Sequence, residues 1–188
     1  MKRNLLLIIF FISYTIIAQT SYGSGAGQTG ASNNSYFGGY AGESANGEYN
    51  TLIGYTSGRS LTSGHRNTFI GSLAGLVTTT GVENVFLGVS TGADNQKGSY
   101  NTFIGRYAGK EMVSGNNNVF LGFRTGYHNN GSNNVFIGSK AGENETGSNK
   151  FYLDNSNTST PLLYGNFSTN QLGINTNNIP SGYAFAIK

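Results

Sequence analysis

Few side chains in this 188-residue sequence could carry out acid–base, nucleophilic or metal chemistry. The sequence has two histidines, His65 and His128, and no cysteine, which excludes disulfide bonds, thiolate metal sites and cysteine nucleophiles. Neither histidine lies at a metal-ligand spacing from a second candidate ligand. Charged residues make up 10% of the chain, against about 25% in an ordinary globular domain. We therefore expect no catalytic residues, no metal site and no cofactor.

The carboxylates are also poorly arranged for catalysis. After residue 18 the chain carries two aspartates, Asp94 and Asp154, and six glutamates. A glycosidase needs two carboxyl groups that flank one sugar bond, whereas Glu43 and Glu143, at matching positions of the repeat described below, lie six units apart. Calcium-binding β-roll repeats carry an aspartate in every nonapeptide, and most units here have none. We therefore expect that the protein is not an enzyme.

The first 18 residues have the pattern of a secretory signal peptide. Lys2 and Arg3 precede a 14-residue apolar stretch that ends at Ala18, and a basic start, a short apolar core and a small final residue are typical of export signals. The core is shorter than the roughly 20 residues of a permanent membrane helix. Removal of residues 1–18 leaves nine basic and eight acidic residues. We expect a nearly neutral exported protein with no nucleic-acid partner and no transmembrane anchor of its own.

A short motif recurs through most of the remaining chain at intervals of 15–17 residues. Each complete unit reads Asn, Thr or Val, Phe, Ile or Leu, and Gly, with a second Gly four positions later and a third after a variable stretch. β-Branched and aromatic residues between turn formers indicate a short strand, and glycines at fixed places let every copy turn at the same points. The sequence therefore predicts an all-β fold, a parallel β-solenoid with one unit per turn.

The repeat divides the chain into four segments. We expect a signal peptide at 1–18, a flexible Gly/Ser-rich lead-in at 19–33, the β-solenoid repeat domain at 34–153 and a strand-rich segment at 154–188. The sequence ends inside an apolar stretch, YAFAIK. An uncovered strand end invites aggregation, so we expect either that this is one part of a longer protein or that a partner covers that end.

Alternation within each strand assigns its apolar residues to two opposite faces. One face carries isoleucine or leucine, as at Ile70 and Leu87, and the other carries phenylalanine. If the Ile/Leu column fills a narrow coil, the aromatic column faces outward and needs a partner, because soluble monomers rarely expose so large an apolar patch. We therefore predict a homotrimer whose inter-chain seam is the aromatic column, formed by Phe69, Phe86, Phe103, Phe120 and Phe136. A wide coil that encloses both columns is the alternative.

The asparagine that opens each unit forms a third column. Stacked asparagine side chains can hydrogen-bond to the copies above and below them, and such a ladder explains the residue without any ligand. We therefore predict an amide ladder formed by Asn50, Asn67, Asn84, Asn101, Asn118 and Asn134.

The segment between the second and third glycines varies in length and composition from unit to unit. Insertions and drift of this kind are typical of a solvent-facing surface. We therefore predict that these segments form the ligand face, if the rod has one, with Tyr127 and His128 as candidate contact residues.

The NTFIG and NVFLG units, each followed by AG or TG, resemble the head repeats of trimeric autotransporter adhesins. The resemblance covers about residues 34–152 and implies a left-handed parallel β-roll that assembles as a trimer. Phenylalanine and leucine occupy positions that are usually smaller in those heads. The closing segment, TPLLYGNFSTNQLGINTNNIPSGYAFAIK, is similar to a strand-rich element of tail-fibre-like surface proteins of bacteria and phages.

Together, these features indicate a structural and adhesive surface module. We expect a trimeric β-solenoid rod, secreted or held on the outer surface of a bacterium, that presents variable loops to glycans or proteins of a host or another cell. The alternative is a tail-fibre-type receptor-binding protein that recognises surface carbohydrate.

Overall fold

The structure, a computed structural model, describes residues 20–23, 26–27, 33–182 and 184–187. These residues form twelve strands and no helix, and each strand pairs with the next along the chain. The expected signal peptide at 1–18 lies outside the described residues. The strands are β1 (Thr20–Tyr22), β2 (Ser35–Phe37), β3 (Thr51–Ile53), β4 (Thr68–Ile70), β5 (Val85–Leu87), β6 (Thr102–Ile104), β7 (Val119–Leu121), β8 (Val135–Ile137), β9 (Lys150–Leu153), β10 (Leu163–Asn166), β11 (Gln171–Ile174) and β12 (Phe185–Ile187).

Strands β1 to β9 stack in parallel, with one strand per repeat unit. The register aligns identical repeat positions, so that Phe69 lies opposite Phe86 in the next turn. Each return path consists of consecutive turns: the N–H of Ala74 donates to the carbonyl of Gly71 at 3.2 Å, and the N–H of Gly75 donates to Thr91 of the next turn at 3.0 Å. The predicted all-β parallel β-solenoid is therefore confirmed.

The described part of the lead-in belongs to the solenoid. Strand β1 pairs with β2, and the N–H of Gly27 donates to the carbonyl of Ala41 at 3.0 Å. Gly23 and Gly27 are four positions apart, like the first two glycines of every unit. The expectation of a flexible linker is wrong for these residues, because they form a partial turn that continues the ladder of backbone hydrogen bonds.

The phenylalanine column lies inside the coil. Phe69, Phe86, Phe103, Phe120 and Phe136 are completely buried. Neighbouring rings are 4.7–4.9 Å apart between centroids and nearly parallel. The prediction that these residues form an inter-chain seam is therefore wrong, and so is the alternative of one coil that encloses both columns, because the Ile/Leu column faces outward.

The interior accepts an aromatic ring because the opposite wall carries glycine. The second glycine of each unit, such as Gly92, adopts a positive φ of 56° and faces the ring of Phe86. A Cβ at this position would lie only 2.5 Å from that ring. The residue before this glycine is a small and buried Ala, Ser or Thr, as at Ala74 and Thr91. Glycine therefore provides the width of the coil as well as its turns.

The variable segment also contributes one residue to the interior. The third position after the second glycine points inward in the first six units, so the prediction that this segment lies wholly on the surface is wrong at that position. Its occupants differ in size and polarity: Ala45, Leu61, Thr78, Asn95, Met112 and Asn129 are all buried. Only the Phe side of the core is uniform.

The asparagine column is buried and continuously hydrogen-bonded. The Nδ2 of Asn101 donates to the Oδ1 of Asn84 at 3.2 Å and to the carbonyl of Gly115 at 2.8 Å. The Oδ1 of Asn101 accepts from both the N–H and the Nδ2 of Asn118, each at 3.0 Å. The same pattern holds at Asn67 and Asn84. Each ladder asparagine thus joins its own turn to the turns on both sides.

The C-terminal segment closes the coil by reversing the chain. Strand β10 pairs antiparallel with both β9 and β11, and β12 then pairs parallel with β11. Tyr152 and Tyr164 continue the Phe column, but their rings meet edge to face at 5.1 and 5.3 Å instead of stacking. Gly173 follows Tyr164 in register, and a Cβ there would lie 2.4 Å from the carbonyl oxygen of Thr176 and 3.4 Å from Ile179. Thr176 and Ile179 therefore cover the end of the aromatic stack.

Substitution Asn101→Ala tests the amide ladder. The change removes two donated and two accepted hydrogen bonds and leaves buried backbone groups of Gly115 and Asn118 unsatisfied. We expect the free energy of unfolding to fall by about 3 kcal/mol. Urea denaturation measures it, with the exposed Asn155→Ala as the control that changes stability by less than about 0.5 kcal/mol. Equal losses in the two variants would contradict a structural role for the ladder.

A second pair of asparagines allows a buried amide without hydrogen bonds to be compared with one that is hydrogen-bonded. Asn95 and Asn129 occupy the same interior position two turns apart, but neither side-chain polar atom of Asn95 makes a hydrogen bond within the protein. Asn129 donates to Glu145 at 2.7 Å and Gly147 at 3.1 Å and accepts from Gly131 at 2.9 Å.

We expect Asn95→Leu to raise the free energy of unfolding by about 1 kcal/mol or more, because an unpartnered buried amide is replaced by the residue found at Leu61. Asn129→Leu should lower it by about 3 kcal/mol. Denaturation of both variants under the same conditions tests the contrast, and destabilisation by Asn95→Leu equal to that of Asn129→Leu would refute it.

Candidate binding surfaces

The outer face of the strands is a mainly apolar surface of Ile, Leu and Val, with threonine at the first position of β3, β4 and β6. The first and third residues of β3 to β8 point away from the core. Where valine, isoleucine or leucine is most exposed, 39–44% of the residue remains accessible, as at Ile53, Val85, Leu87, Val119 and Leu121. We call this surface the strand face. It is the outward apolar stripe that a strand apolar on both sides requires, with Ile, Leu and Val in place of the predicted Phe.

The structure brings the predicted ligand residues Tyr127 and His128 together on the side of the rod. Their rings are 4.6 Å apart between centroids, in an edge-to-face arrangement. The Nδ1 of His128 lies 2.8 Å from the Oε2 of Glu111, the residue at the same repeat position one turn earlier. His128 therefore takes part in a link between turns, while Tyr127 belongs to a larger cluster.

That cluster, which we call the distal cluster, consists of Arg106, Tyr107, Phe123, Arg124 and Tyr127. The ring of Tyr107 lies 6.3 Å from Phe123 and 6.4 Å from Tyr127. The guanidinium of Arg106 lies over Tyr107 at 4.5 Å, and that of Arg124 lies over Tyr127 at 4.3 Å. Three rings and two guanidinium groups therefore form one partly exposed platform across two turns.

A smaller platform, the proximal cluster, lies four turns earlier and consists of Tyr40, Tyr55 and Arg59. The two tyrosine rings are 6.2 Å apart in an edge-to-face arrangement, and Arg59 lies 5.6 Å from the ring centroid of Tyr40. Tyr40 and Tyr107 occupy the same repeat position and share a positive φ, 58° and 63°. Tyr55 and Phe123 also occupy matching positions. Sequence reasoning noted the tyrosines but missed the three arginines, because no two of them lie at the same repeat position.

Carboxylates from neighbouring turns pair with two of the three cluster arginines, Arg59 and Arg124, whereas Arg106 donates to the hydroxyl of Tyr107 at 2.8 Å and makes no ion pair with a described residue. Arg124 donates to the Oε1 of Glu143 from Nε at 2.6 Å and contacts it through Nη2 at 2.5 Å, while Arg59 donates to Glu43 at 2.6 Å. Glu43 also raises the pKa of Arg59 above its usual value, through its hydrogen bond and its charge. Both platforms are therefore rich in rings; the proximal cluster is neutral, and the distal cluster keeps one cation without a carboxylate partner, Arg106.

A polar cavity of about 420 Å³ lies between the last solenoid turn and the loop after β9. It is lined by Glu143, Glu145, Asn144, Asn157 and Tyr152, among others. The hydroxyl of Tyr152 donates to Glu145 at 2.9 Å, and Asn144 donates to Asn157 at 3.1 Å. Burial raises the pKa of Tyr152, and the charge of Glu145 adds to the shift. The tyrosine therefore remains a proton donor, and these contacts hold the loop against the coil.

Within the described ranges, no group of three or more His, Asp or Glu side chains is placed to hold a metal ion. His65 is remote from His128, and its Nδ1 lies 3.5 Å from the carbonyl of Ser63. The part of the chain that the structure describes also contains no helix with the length and hydropathy of a membrane span.

The fold defines the described chain as a parallel β-solenoid repeat protein, with one apolar face and two aromatic platforms. No family model, curated protein or solved structure matches the sequence.

Glu143 and Glu43 provide a matched test of the links between turns. Both follow the second glycine of a unit and both pair with an arginine, but the side chain of Glu143 is 7% exposed and that of Glu43 is 29% exposed. Exposed ion pairs contribute little, whereas hydrogen bonds to a desolvated carboxylate contribute more. We expect Glu143→Ala to lower the free energy of unfolding by about 2 kcal/mol and Glu43→Ala by less than about 1 kcal/mol. Thermal and urea denaturation would contradict this if the order were reversed.

Proposed function

We propose that the protein is an exported structural and adhesive module that forms a homotrimeric β-solenoid rod. The observation that carries this proposal is the strand face, which leaves Ile, Leu and Val side chains exposed on every other turn, β3, β5 and β7, and partly exposed on the turns between them. Large contiguous apolar patches on soluble proteins mark interaction sites. A second copy of the same chain fits this face, because a column that repeats at every turn matches an identical column along its whole length.

Three chains, rather than two, follow from the resemblance of the repeats to trimeric adhesin heads. Each coil has one strand face, and three such faces can meet around a common axis while the other sides stay exposed. The seam in this arrangement runs along the Ile/Leu and Thr/Val columns of the strand face. The Phe column is excluded from the seam because it is buried within each coil.

Three further features support a surface role. The signal-peptide pattern of residues 1–18 directs the chain out of the cell. Nine stacked strands at about 4.8 Å spacing give a rod roughly 38 Å long, which projects side chains away from its point of attachment. The sides away from the strand face differ from turn to turn, and these sides would meet glycans or proteins of another cell.

A tail-fibre-type receptor-binding protein that recognises surface carbohydrate is the second candidate. The observation that favours it is the pair of aromatic platforms on the side of the rod, because tyrosine and arginine are enriched at the centres of binding sites. The signal-peptide pattern favours the exported adhesive module.

The double substitution Leu87→Asp with Leu121→Asp tests the seam. Placing carboxylates in a buried apolar contact is costly, so we expect the trimer to dissociate into folded monomers. Light scattering of the mature chain measures the mass, and circular dichroism shows whether the fold is kept. The control is Val113→Asp, which alters a residue that is 40% exposed in the variable segment, and which should leave the trimer intact.

Phe103→Asp separates the seam from the core. A carboxylate in the aromatic stack should unfold the coil, with loss of the β signal, instead of releasing folded monomers. A wild-type chain that is monomeric at all concentrations would refute the trimer, whereas a double variant that stays trimeric would refute the strand face as its seam.

A further inference from the structure

We infer that the two aromatic platforms together bind one extended, uncharged oligosaccharide that lies along the side of the rod. The inference deepens the proposed function, on which it rests, by naming the class of ligand that the adhesive surface would take. It uses side chains that neither the core nor the strand face requires.

The distal cluster has the composition of a binding site. Tyrosine and arginine are the residues most enriched at binding hot spots, and tyrosine offers a large amphipathic surface at a low cost in conformational entropy. Packing within the cluster holds its rings in place: Tyr107 contacts both Phe123 and Tyr127, and Arg124 is held against Tyr127 by Glu143. A rigid platform loses little freedom when a ligand is bound.

The backbone at the cluster is held in a conformation that these residues do not favour. Tyr107 and Arg124 both adopt a positive φ, 63° and 54°. In two turns between the proximal and distal clusters, the position equivalent to Tyr107 carries Leu73 and Ser90. These residues also have a positive φ, but they place no ring or charge on the surface. The turn therefore forms without tyrosine or arginine at this position. The presence of Tyr107 and Arg124 is better explained by a function of their side chains.

The spacing of the clusters indicates an elongated ligand. Tyr40 and Tyr107 are four turns apart at matching positions, as are Tyr55 and Phe123, which corresponds to roughly 19 Å along the rod. The surface between them carries smaller side chains, among them Ser72, Leu73 and Ser90. Two aromatic platforms separated by a strip without aromatic side chains suit a polymer that contacts both, and not a compact molecule that fits a single cavity.

The electrostatics favour an uncharged polymer. Arg59 and Arg124 are paired with carboxylates of neighbouring turns, and the nearby Lys110 lies 3.6 Å from Asp94. Arg106 has no carboxylate partner and donates to the hydroxyl of Tyr107, so the distal cluster keeps a single unneutralised cation, which is too little to hold a highly charged polymer. A strongly anionic polymer would have to displace these carboxylates. Sugar rings have apolar faces for the aromatic side chains and hydroxyl groups for the arginine and tyrosine edges, so a neutral oligosaccharide satisfies both parts of each platform.

The test uses the mature wild-type chain and neutral oligosaccharides of several linkages, each from two to eight rings long, in a glycan array followed by titration calorimetry. We expect binding to at least one linkage, with an affinity that rises by ten-fold or more once a ligand is long enough to reach both platforms. Binding should change little in high salt, since no net charge is being screened.

The matched variants are Tyr107→Ala and Tyr100→Ala. Both replace a tyrosine at a positive φ, 63° and 61°, so the strain at the new alanine is similar, but Tyr100 lies outside both clusters. We expect Tyr107→Ala to weaken binding at least ten-fold and Tyr100→Ala to leave it unchanged. In Tyr55→Ala, long ligands should bind with the affinity of short ones, because only one platform remains.

Four outcomes would overturn the inference: binding to none of the neutral oligosaccharides, equal effects of Tyr107→Ala and Tyr100→Ala, binding only to sulfated polymers that high salt abolishes, or a loss of trimer in Tyr107→Ala. The last would make the distal cluster a contact between copies of the chain. Light scattering on the same samples separates the two proposals, because a trimer that binds no sugar refutes only this inference, and a monomer that binds sugar refutes only the trimer.

Discussion

The structure depends on one constraint, which is that each residue stacks on its counterpart in the next turn. Parallel strands are about 4.8 Å apart, so every column must consist of side chains that tolerate a close copy of themselves. Phenylalanine rings do so by stacking, and asparagines do so because an amide both donates and accepts. Glycine does so by having no side chain: a Cβ at Gly54 would lie 2.4 Å from the carbonyl oxygen of Gly71.

Like charges cannot stack in this way, which explains why charged residues make up only 10% of the chain. Among the charges that remain, five ion pairs join neighbouring turns, as in Glu43 with Arg59.

The same constraint divides the molecule into uniform and variable parts. The Phe stack and the Asn ladder occupy one wall of the coil and vary little. A different residue in either column would lose the contacts with its counterparts in the preceding and following turns. The other interior column, from Leu61 through Asn95 to Met112, changes at every turn and forms no continuous hydrogen-bonded ladder. Stability therefore comes mainly from the strand wall, and the variable segment can change its composition at low cost. This freedom allows clusters such as that around Tyr107 and Arg124 to appear on some turns and not on others.

The period of the sequence predicted the fold, because only a solenoid gives identical short strands the same surroundings in every turn. Alternation also placed Phe86 and Leu87 on opposite faces, but it could not decide which face lies inside, since both are apolar. The deciding feature is on the opposite wall, where Gly92 leaves room for the ring of Phe86. The glycine spacing of Gly23 and Gly27 could have revealed the extra N-terminal turn. The candidate site was predicted only in part. Tyr127 was predicted because it lies in the variable segment, whereas Arg124 could be assigned to the site only from the structure, where its guanidinium lies over the ring of Tyr127.

A uniform strand face has a further consequence for any assembly built on it. If Ile53, Leu87 and Leu121 form equivalent contacts, sliding one chain by a single turn, about 4.8 Å, replaces each contact with a nearly identical one. The repeat itself therefore supplies attraction between copies but cannot fix their axial alignment. That alignment has to come from a part of the chain that breaks the period. Strands β9 to β11 do so, because the chain reverses there and Tyr152 and Tyr164 meet edge to face where the Phe rings stack. In a trimer of these coils, the irregular end would set the position of the chains and the regular turns would hold them together.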